Sequence, residues 1–171
     1  PEDDIMTKNS IAVSPELLFM RANLLNKIND NSHKIVIVHL NSFIKKLPSK
    51  NKFIKNRITL KKDSKINREE LINKLIEIGY KRESIVYNIS DFSVRGFVID
   101  IYPIEENHPI RIELFDDEIE KIKYFDEYTQ KSIDEIDEIS IGPIKDDFGD
   151  NNTSIRDFFD EDITIFTNYN Q

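Results

Sequence analysis

One capped helix followed by a series of strand patterns is the feature that most constrains the fold of this chain. Asn67 is placed to cap the helix, Glu70 three residues later completes a capping box, and Gly79 ends it. Leu71 and Leu75 begin an apolar stripe along one side. After Gly79 the apolar residues instead alternate with polar ones, which is typical of strands with one buried face. This order predicts an α+β fold.

Five stretches carry the strand pattern. They cover residues 58–60 before the helix and 92–102, 110–115, 118–125 and 139–141 after it. In the third stretch, Ile110, Ile112 and Leu114 are predicted to point to one side and Arg111, Glu113 and Phe115 to the other. Gly96 interrupts the second stretch, where we expect a bulge or a close approach of the backbone. Together these elements predict a small module of helix and antiparallel sheet over residues 48–143.

The segments on either side of this module predict parts of another domain. A helix is expected to begin at Ser14-Pro15-Glu16, and the β-branched run 35–38 predicts a buried strand of a parallel sheet. A short helix then ends at Lys46, and residues 49–56 are predicted to be a linker. Beyond the module, the pattern predicts a short helix near 153–159 and a strand at 163–166. We therefore expect residues 1–47 and 144–171 to form a partial α/β domain into which residues 48–143 are inserted.

Charge is distributed unevenly along the sequence. The 171 residues include 32 acidic and 24 basic side chains, giving a net charge of −8, which argues against a chain built mainly to coat DNA or an anionic membrane. Residues 45–65 hold nine basic residues and one acidic residue, whereas residues 113–162 hold eighteen acidic and five basic. Two solvated faces of opposite charge would explain this pattern. A DNA-binding patch along 45–65 is the alternative.

Most catalytic signatures are missing from the sequence. None of the four glycines, Gly79, Gly96, Gly142 and Gly149, opens a phosphate-binding loop, and the three histidines lack metal-site spacing. We therefore expect no catalytic residue, no metal site and no cofactor in this chain. The run Asp116-Asp117-Glu118 is the exception, because its carboxylates suit a metal-dependent hydrolase. A turn with solvated carboxylates is the competing interpretation.

The cellular setting is constrained only weakly. The sequence has no Cys and no signal-peptide pattern, and no apolar run approaches the roughly 18 residues of a membrane span. A cytoplasmic protein without membrane contact is expected. Because the sequence opens at Pro1 rather than Met, we also expect a piece of a longer protein.

Three stretches together carry a family resemblance. They are 75–82, 92–103 and 111–132, which include Val94-Arg95-Gly96, Asp100-Ile101-Tyr102-Pro103 and Phe115-Asp116-Asp117-Glu118. This succession resembles the UvrB-homology region near the amino end of the bacterial transcription-repair coupling factor family (Mfd), as do residues 11–17 and Arg21. UvrB shares the middle module, so its equivalent module is the alternative. Residues 14–17 and 125–130 are more similar to Mfd than to UvrB.

The resemblance implies a function for the whole chain. It implies a degenerate helicase-type domain without ATP motifs, carrying an inserted module that binds UvrA and so recruits nucleotide excision repair to stalled RNA polymerase. In this family, contact with RNA polymerase and ATP- and Mg-dependent translocation on double-stranded DNA belong to other parts of the protein. The family's carboxyl-terminal domain masks the UvrA-binding face. The resemblance therefore implies an adaptor rather than an enzyme for this stretch.

The same resemblance indicates which residues would bind UvrA. They are Arg82, Arg95, Glu113, Glu118 and Glu120. Arg82 is expected in a loop beyond the helix, and Arg95 can offer a planar fork to a carboxylate. An internal surface pair, such as Arg111 with Glu113, is the competing interpretation of these charges. The sequence departs from the family pattern at Ser93, where UvrB often has Arg, and at Phe97, where a small or polar residue usually follows Arg-Gly.

Overall fold

The computed structural model describes residues 15–28, 35–145, 148–149, 151–159 and 164–165. In these ranges the α-helices are Pro15–Ile28 (α1), Leu40–Ile44 (α2), Lys50–Lys55 (α3) and Arg68–Glu77 (α4), and a 3-10 helix covers Ile155–Phe158. The strands are Leu47–Pro48 (β1), Ile58–Lys61 (β2), Lys81–Arg82 (β3), Asp91–Arg95 (β4), Val98–Ile101 (β5), Ile110–Phe115 (β6), Glu118–Phe125 (β7), Ser132–Ile136 (β8), Glu138–Ile141 (β9) and Asn151–Thr153 (β10). These elements confirm the predicted α+β class.

The main sheet has six strands in the order β3-β4-β5-β6-β7-β8. Its first pair, β3 with β4, is parallel, and the other pairs are antiparallel. Strands β4 to β8 follow one another along the chain and in space, which is the simplest antiparallel connectivity. Two smaller antiparallel pairs, β2 with β9 and β1 with β10, bring distant parts of the chain together.

Helix α4 forms where the capping pattern predicted it. The side chain of Asn67 accepts hydrogen bonds from the backbone N–H groups of Glu69 and Glu70, at 3.0 and 3.2 Å. Gly79 follows the helix with a φ of +108°, a conformation that glycine adopts without steric cost. Leu71 and Leu75 are buried. The Asn67 cap and the apolar stripe are therefore confirmed as the local origin of this helix, whereas Glu70 Oε1 accepts from the side-chain amide of Asn67 at 3.2 Å and not from its backbone N–H as a capping box requires.

The main core lies between α4 and one face of the six-stranded sheet. The sheet contributes a layer of buried apolar side chains, namely Phe92, Ile99, Ile101, Ile110, Ile112, Leu114, Ile119 and Ile122. The β2–β9 pair adds Leu60, Ile139 and Ile141, and α1 adds Ala22. In β6 the buried residues alternate with more exposed ones, as the sequence predicted. The opposite face of the sheet, which we call the outer face, carries the side chains that alternate with this layer, among them Arg111 and Glu113, together with a small buried cluster of Val86, Tyr102 and Phe125.

A second core joins segments from both ends of the described chain. Leu25 of α1, Phe53 of α3 and Phe158 of the 3-10 helix are buried in it, and the rings of Phe53 and Phe158 lie 5.7 Å apart, edge to face. Residue 53 falls inside the predicted 48–143 module but packs with the outer segments. The division at residues 48 and 143 and the insertion into a helicase-type domain stay predictions.

Two local predictions outside the main sheet are wrong. Residues 35–39 form no strand, and Ile35 and Ile37 are 94% and 93% exposed, because no strand in the described part of the chain pairs with them. Residues 49–56 are not a linker, since Ser49 caps helix α3 by accepting a hydrogen bond from Lys52 N–H. The expected helix up to Lys46 is confirmed as α2, although it ends earlier, at Ile44.

The prediction for Gly96 is also wrong. Gly96 and Phe97 form the tight turn between β4 and β5, and no atom lies within 4 Å of a Cβ built on Gly96. Its φ of +58° at the first central position fits the turn type that favours glycine there. The capping role of Ser14 lies outside the described residues, as does most of the strand predicted at 163–166, of which Thr164 and Ile165 show no regular structure.

Candidate protein-interaction surface

A buried carboxylate organises the outer face of the sheet. Asp100 on β5 lies opposite Ser93 on β4 and Arg111 on β6. Its side chain is only 1% exposed. Arg111 binds it with two parallel hydrogen bonds, Nε to Oδ1 at 2.7 Å and Nη2 to Oδ2 at 2.9 Å. Arg95 donates a further hydrogen bond to Oδ2 from Nη2. One carboxylate is thus shared by two guanidinium groups.

Arg111 is the inner of these two cations. Its guanidinium lies 4.4 Å above the centre of the Phe125 ring, and Nη2 also donates to Gln130 Oε1 at 3.1 Å. The hydrogen bonds to Asp100 raise the pKa of Arg111 above its ordinary value. The side chain of Arg111 is 18% exposed, and its guanidinium contacts Asp100, Gln130 and Phe125 within the chain. Arg111 therefore supports Asp100 from inside the sheet and offers less of its guanidinium to a partner protein than Arg95 does.

Arg95 differs from Arg111 in its access to solvent. It ends β4, beside the tight turn at Gly96, and its side chain is 49% exposed. Arginine carries five N–H donors. With Nη2 fixed on Asp100, the rest of the guanidinium fork remains available to a carboxylate of another protein.

Glu113 also lies on the outer face but has an internal partner. Lys123 Nζ donates to Glu113 Oε1 at 2.8 Å, and the two side chains are 21% and 30% exposed. Glu113 therefore belongs to an internal surface pair, as the competing interpretation held, but its partner is Lys123, diagonally across on β7, and not Arg111, which binds Asp100 directly opposite it on β5. Arg111 lies directly opposite both Asp100 and Lys123, so Asp100 and Glu113 neutralise two cations that would otherwise repel.

Glu118 and Glu120 begin β7 and are exposed, with buried Ile119 between them. They share a side of the strand, as predicted. Lys121 lies opposite Glu113 and Ile119 lies opposite Leu114, so Glu120 is an extra residue without a partner on β6. This is a β-bulge, and it directs Glu120 and Lys121 toward the outer face.

Arg82 does not join the other candidates. The structure places it in strand β3, not in the predicted loop, and its register partner is Phe92, which belongs to the main core. Register partners point to the same side of a sheet, so Arg82 lies at the edge on the side away from Arg95. The structure therefore gathers Arg95, Glu113, Glu118 and Glu120 on the outer face and leaves Arg82 at the margin.

Asp116, Asp117 and Glu118 occupy the turn between β6 and β7 and the start of β7. Asp116 adopts a φ of +57°, and Lys65 Nζ contacts both oxygens of Asp117 at 3.0 and 3.1 Å. Within the described ranges, no group of three or more His, Asp or Glu side chains is placed to hold a metal ion. The arrangement corresponds to the solvated turn that was the competing interpretation.

Part of the basic stretch is neutralised within the chain. Lys62 pairs with Glu135 at 3.1 Å, Lys65 with Asp117, and Arg57 forms a two-pronged contact with Glu105 at 2.8 and 3.1 Å. These carboxylates come from later strands and turns. The surface of residues 45–65 is therefore less positive than the sequence indicates, which weakens the DNA-binding alternative.

Sequence reasoning missed Asp100 as the centre of this surface. A signal was present, since an acidic residue in the apolar strand Val98-Ile99-Asp100-Ile101 needs a partner if it is buried. Ser93 is also buried, with no hydrogen bond to its hydroxyl among the described residues, so it is not an exposed contact here.

Comparison with known proteins identifies the family. Residues 58–146, which contain α4, the six-stranded sheet and the β2–β9 pair, match the family described as the UvrB interaction domain. The chain belongs to the UvrB interaction domain family.

Relatives of known name extend the match beyond this domain. The chain is 43% identical over 141 residues to the transcription-repair-coupling factor of Staphylococcus haemolyticus, 42% to that of Staphylococcus aureus strain bovine RF122 and 40% to that of Staphylococcus epidermidis strain RP62A. Each match covers 82% of this chain and 12% of the relative. The predicted resemblance to the UvrB-homology region of Mfd is confirmed.

The chain spans about an eighth of the length of these relatives.

In the described part of this UvrB interaction domain protein, no helix has both the length and the apolar character needed to cross a membrane.

Proposed function

We propose that this chain is a protein–protein adaptor that binds UvrA through the outer face of its six-stranded sheet. The observation that carries the proposal is the state of Arg95. Its guanidinium is anchored to buried Asp100 yet half-exposed, so it is oriented before a partner arrives. The family description and the names of the relatives support a role in DNA repair.

The proposed contact has a positive centre and an acidic border. Arg95 binds a carboxylate of UvrA, and Glu113, Glu118 and Glu120 accept hydrogen bonds from donors on its rim. Glu113 is shared with Lys123, so its contribution is smaller than that of Arg95. Arg82, at the sheet edge, contributes least and modulates the rate of association rather than the strength of the complex.

The wider role is also a proposal. We propose that docking of UvrA to this chain recruits nucleotide excision repair to stalled RNA polymerase. In this account, polymerase contact and ATP- and Mg-dependent DNA translocation lie outside the matched region, and a carboxyl-terminal domain competes with UvrA for the outer face. This chain itself supplies recognition, without a cofactor.

Calorimetric titration of the 171-residue chain with UvrA from the same genome tests the proposal. Arg95→Ala should weaken binding by about 30-fold or more, since loss of one member of a desolvated charge pair costs about 2–5 kcal/mol. Arg156→Ala is the matched control, because Arg156 is exposed on the distant 3-10 helix. Equal affinity of wild type and Arg95→Ala, with Arg95→Ala folded, would reject the role of Arg95.

A further inference from the structure

The two hydrophobic cores of this chain meet at a junction that is rich in hydrogen bonds. Apart from Ala22, the buried residues of the main core lie within residues 58–146, the range that matches the family. The buried residues of the second core all lie outside that range. Two units joined through polar contacts are able to move relative to one another, unlike units that share a large apolar interface.

Arg57 lies at the centre of this junction. It immediately precedes the matched range and stands between α3 of the second core and β2. Its Nε donates to Ser140 Oγ at 3.0 Å, and its Nη1 donates to Asn26 Oδ1 and Glu105 Oε1, each at 2.8 Å. Its Nη2 donates to Glu105 Oε2 at 3.1 Å and to the Ser140 carbonyl at 3.3 Å. Since a guanidinium has five N–H donors, every donor of Arg57 is used.

Glu105, in the connection between β5 and β6, completes the junction. Besides its two bonds from Arg57, Glu105 Oε2 accepts a hydrogen bond from Gly142 N–H at 3.0 Å. The side chains of Arg57 and Glu105 are 19% and 17% exposed. The pair is therefore shielded enough to keep a fixed geometry, yet it lies close enough to the surface for water to replace its hydrogen bonds.

We propose that Arg57 and Glu105 form a clasp that closes a hinge between the two cores, and that release of this clasp lets the second core turn against the sheet. The chain crosses between the cores at Arg57 and again between Ile144 and Phe148. Release exchanges hydrogen bonds within the protein for hydrogen bonds to water, so it does not require either core to open.

Helix α1 provides the pivot of the hinge. It contacts the main core through Ala22 and Phe19 and the second core through Leu25 and Ile28. Apolar contacts are non-directional, so they tolerate a small rotation that the directional bonds of Arg57 do not. The clasp thereby sets the direction in which the outer face points relative to the second core. This role is independent of which protein the outer face binds.

Distances between spin labels on the 171-residue chain test the clasp. The sequence has no Cys, so two introduced cysteines are the sole labelling sites. Asp134→Cys on β8 labels the main sheet, and Arg156→Cys on the 3-10 helix labels the second core, both at exposed positions. Without further change, this pair should give one narrow distance distribution. Arg57→Ala and Glu105→Gln should each broaden and shift that distribution.

Two controls separate hinge motion from general loosening. Lys65→Ala removes the ion pair of Lys65 with Asp117, which lies wholly within the main body, and should leave the distribution unchanged. Labels introduced by Arg82→Cys and Asp134→Cys lie on the two edge strands of one sheet and should keep their distance in every variant.

The outcomes decide whether the clasp governs orientation. If both junction variants unfold more easily but keep the original distance between the cores, Arg57 is only a stabilising contact and the hinge is rejected. Broadening of the within-sheet distance as well would also reject it, because the sheet itself would then be loosened. If Arg57→Ala fails to fold, the same measurements on Glu105→Gln, which keeps the side-chain shape, decide the question.

Discussion

Asp100 accepts hydrogen bonds from both Arg95 and Arg111, and it does so while almost wholly buried on the outer face of the sheet. A buried carboxylate is costly unless it is paired, and here two cations share it. This sharing ties the exposed guanidinium of Arg95 to the inner, ring-stacked guanidinium of Arg111.

Replacing Asp100 should therefore affect both stability and recognition. Asp100→Asn keeps the shape but removes the charge, which leaves two guanidinium groups facing one amide. We expect the free energy of unfolding to fall by about 2–4 kcal/mol, less than for a fully buried pair because Arg95 is half-exposed. Chemical denaturation measures this change, and Asp134→Asn on exposed β8 should change it by at most about 0.5 kcal/mol. Equal stability of the two variants would contradict the account.

Gly142 is a point of close contact between α1 and the main body. A Cβ at this position would lie 2.5 Å from Cγ and 2.7 Å from Nδ2 of Asn26, whose amide donates to the Pro143 carbonyl at 3.1 Å. Gly142→Ala should destabilise the protein by about 1–3 kcal/mol through overpacking. The cost should shrink in an Asn26→Ala background, where the clash is relieved. If the losses of unfolding free energy caused by Gly142→Ala and by Asn26→Ala simply add in the double variant, the contact between these two residues is not the cause of the loss in Gly142→Ala.

We expect the protein to lose stability at alkaline pH as the phenol of Tyr124 ionises. Burial first, and then its hydrogen bond to Glu106 Oε2 at 2.8 Å, raise the pKa of Tyr124 from 10.0 to about 12. The folded state therefore favours the protonated phenol, and this stabilisation is complete below pH 10 and is lost as pH rises towards 12. The stability difference between wild type and Tyr124→Phe should narrow over that interval in denaturation experiments. A constant difference would show that Tyr124 does not titrate as described.

The cap of α4 offers a local test. Asn67→Ala removes the acceptor for two backbone N–H groups and should destabilise the protein by about 1 kcal/mol. Asn67→Asp keeps the acceptor, so its free energy of unfolding should stay within a few tenths of a kcal/mol of that of wild type. Thermal unfolding of the three proteins measures the difference, and equal losses for both variants would argue against the cap.

Features set by nearby residues were predictable from the sequence. Helix α4 and the alternation of β6 depend on caps and periodicities within a few positions, and both are confirmed. The run 35–38 has the composition of a buried strand, but a strand also needs a partner, and no described strand provides one. Helix α3 was missed because a single buried residue, Phe53, gives no periodic signal.

The candidate surface was predictable only in part. The resemblance indicated Arg95 and the glutamates, and alternation placed Glu118 and Glu120 on one side of a strand. The partner of Arg111 is fixed by strand register, which places Asp100 opposite it and was not available from residue spacing along β6. Arg82 was expected in a loop because a two-residue strand leaves almost no pattern to detect.

Amide hydrogen exchange of the 171-residue chain, alone and bound to UvrA from the same genome, tests the central claim most directly. The account predicts new protection at the turn amides of residues 96–97 and 116–118 on the Arg95 end of the sheet. It predicts no change in the β7–β8 turn at residues 126–130 or in helix α4. Protection of α4 or of residues 126–130, with residues 96–97 and 116–118 unchanged, would contradict it.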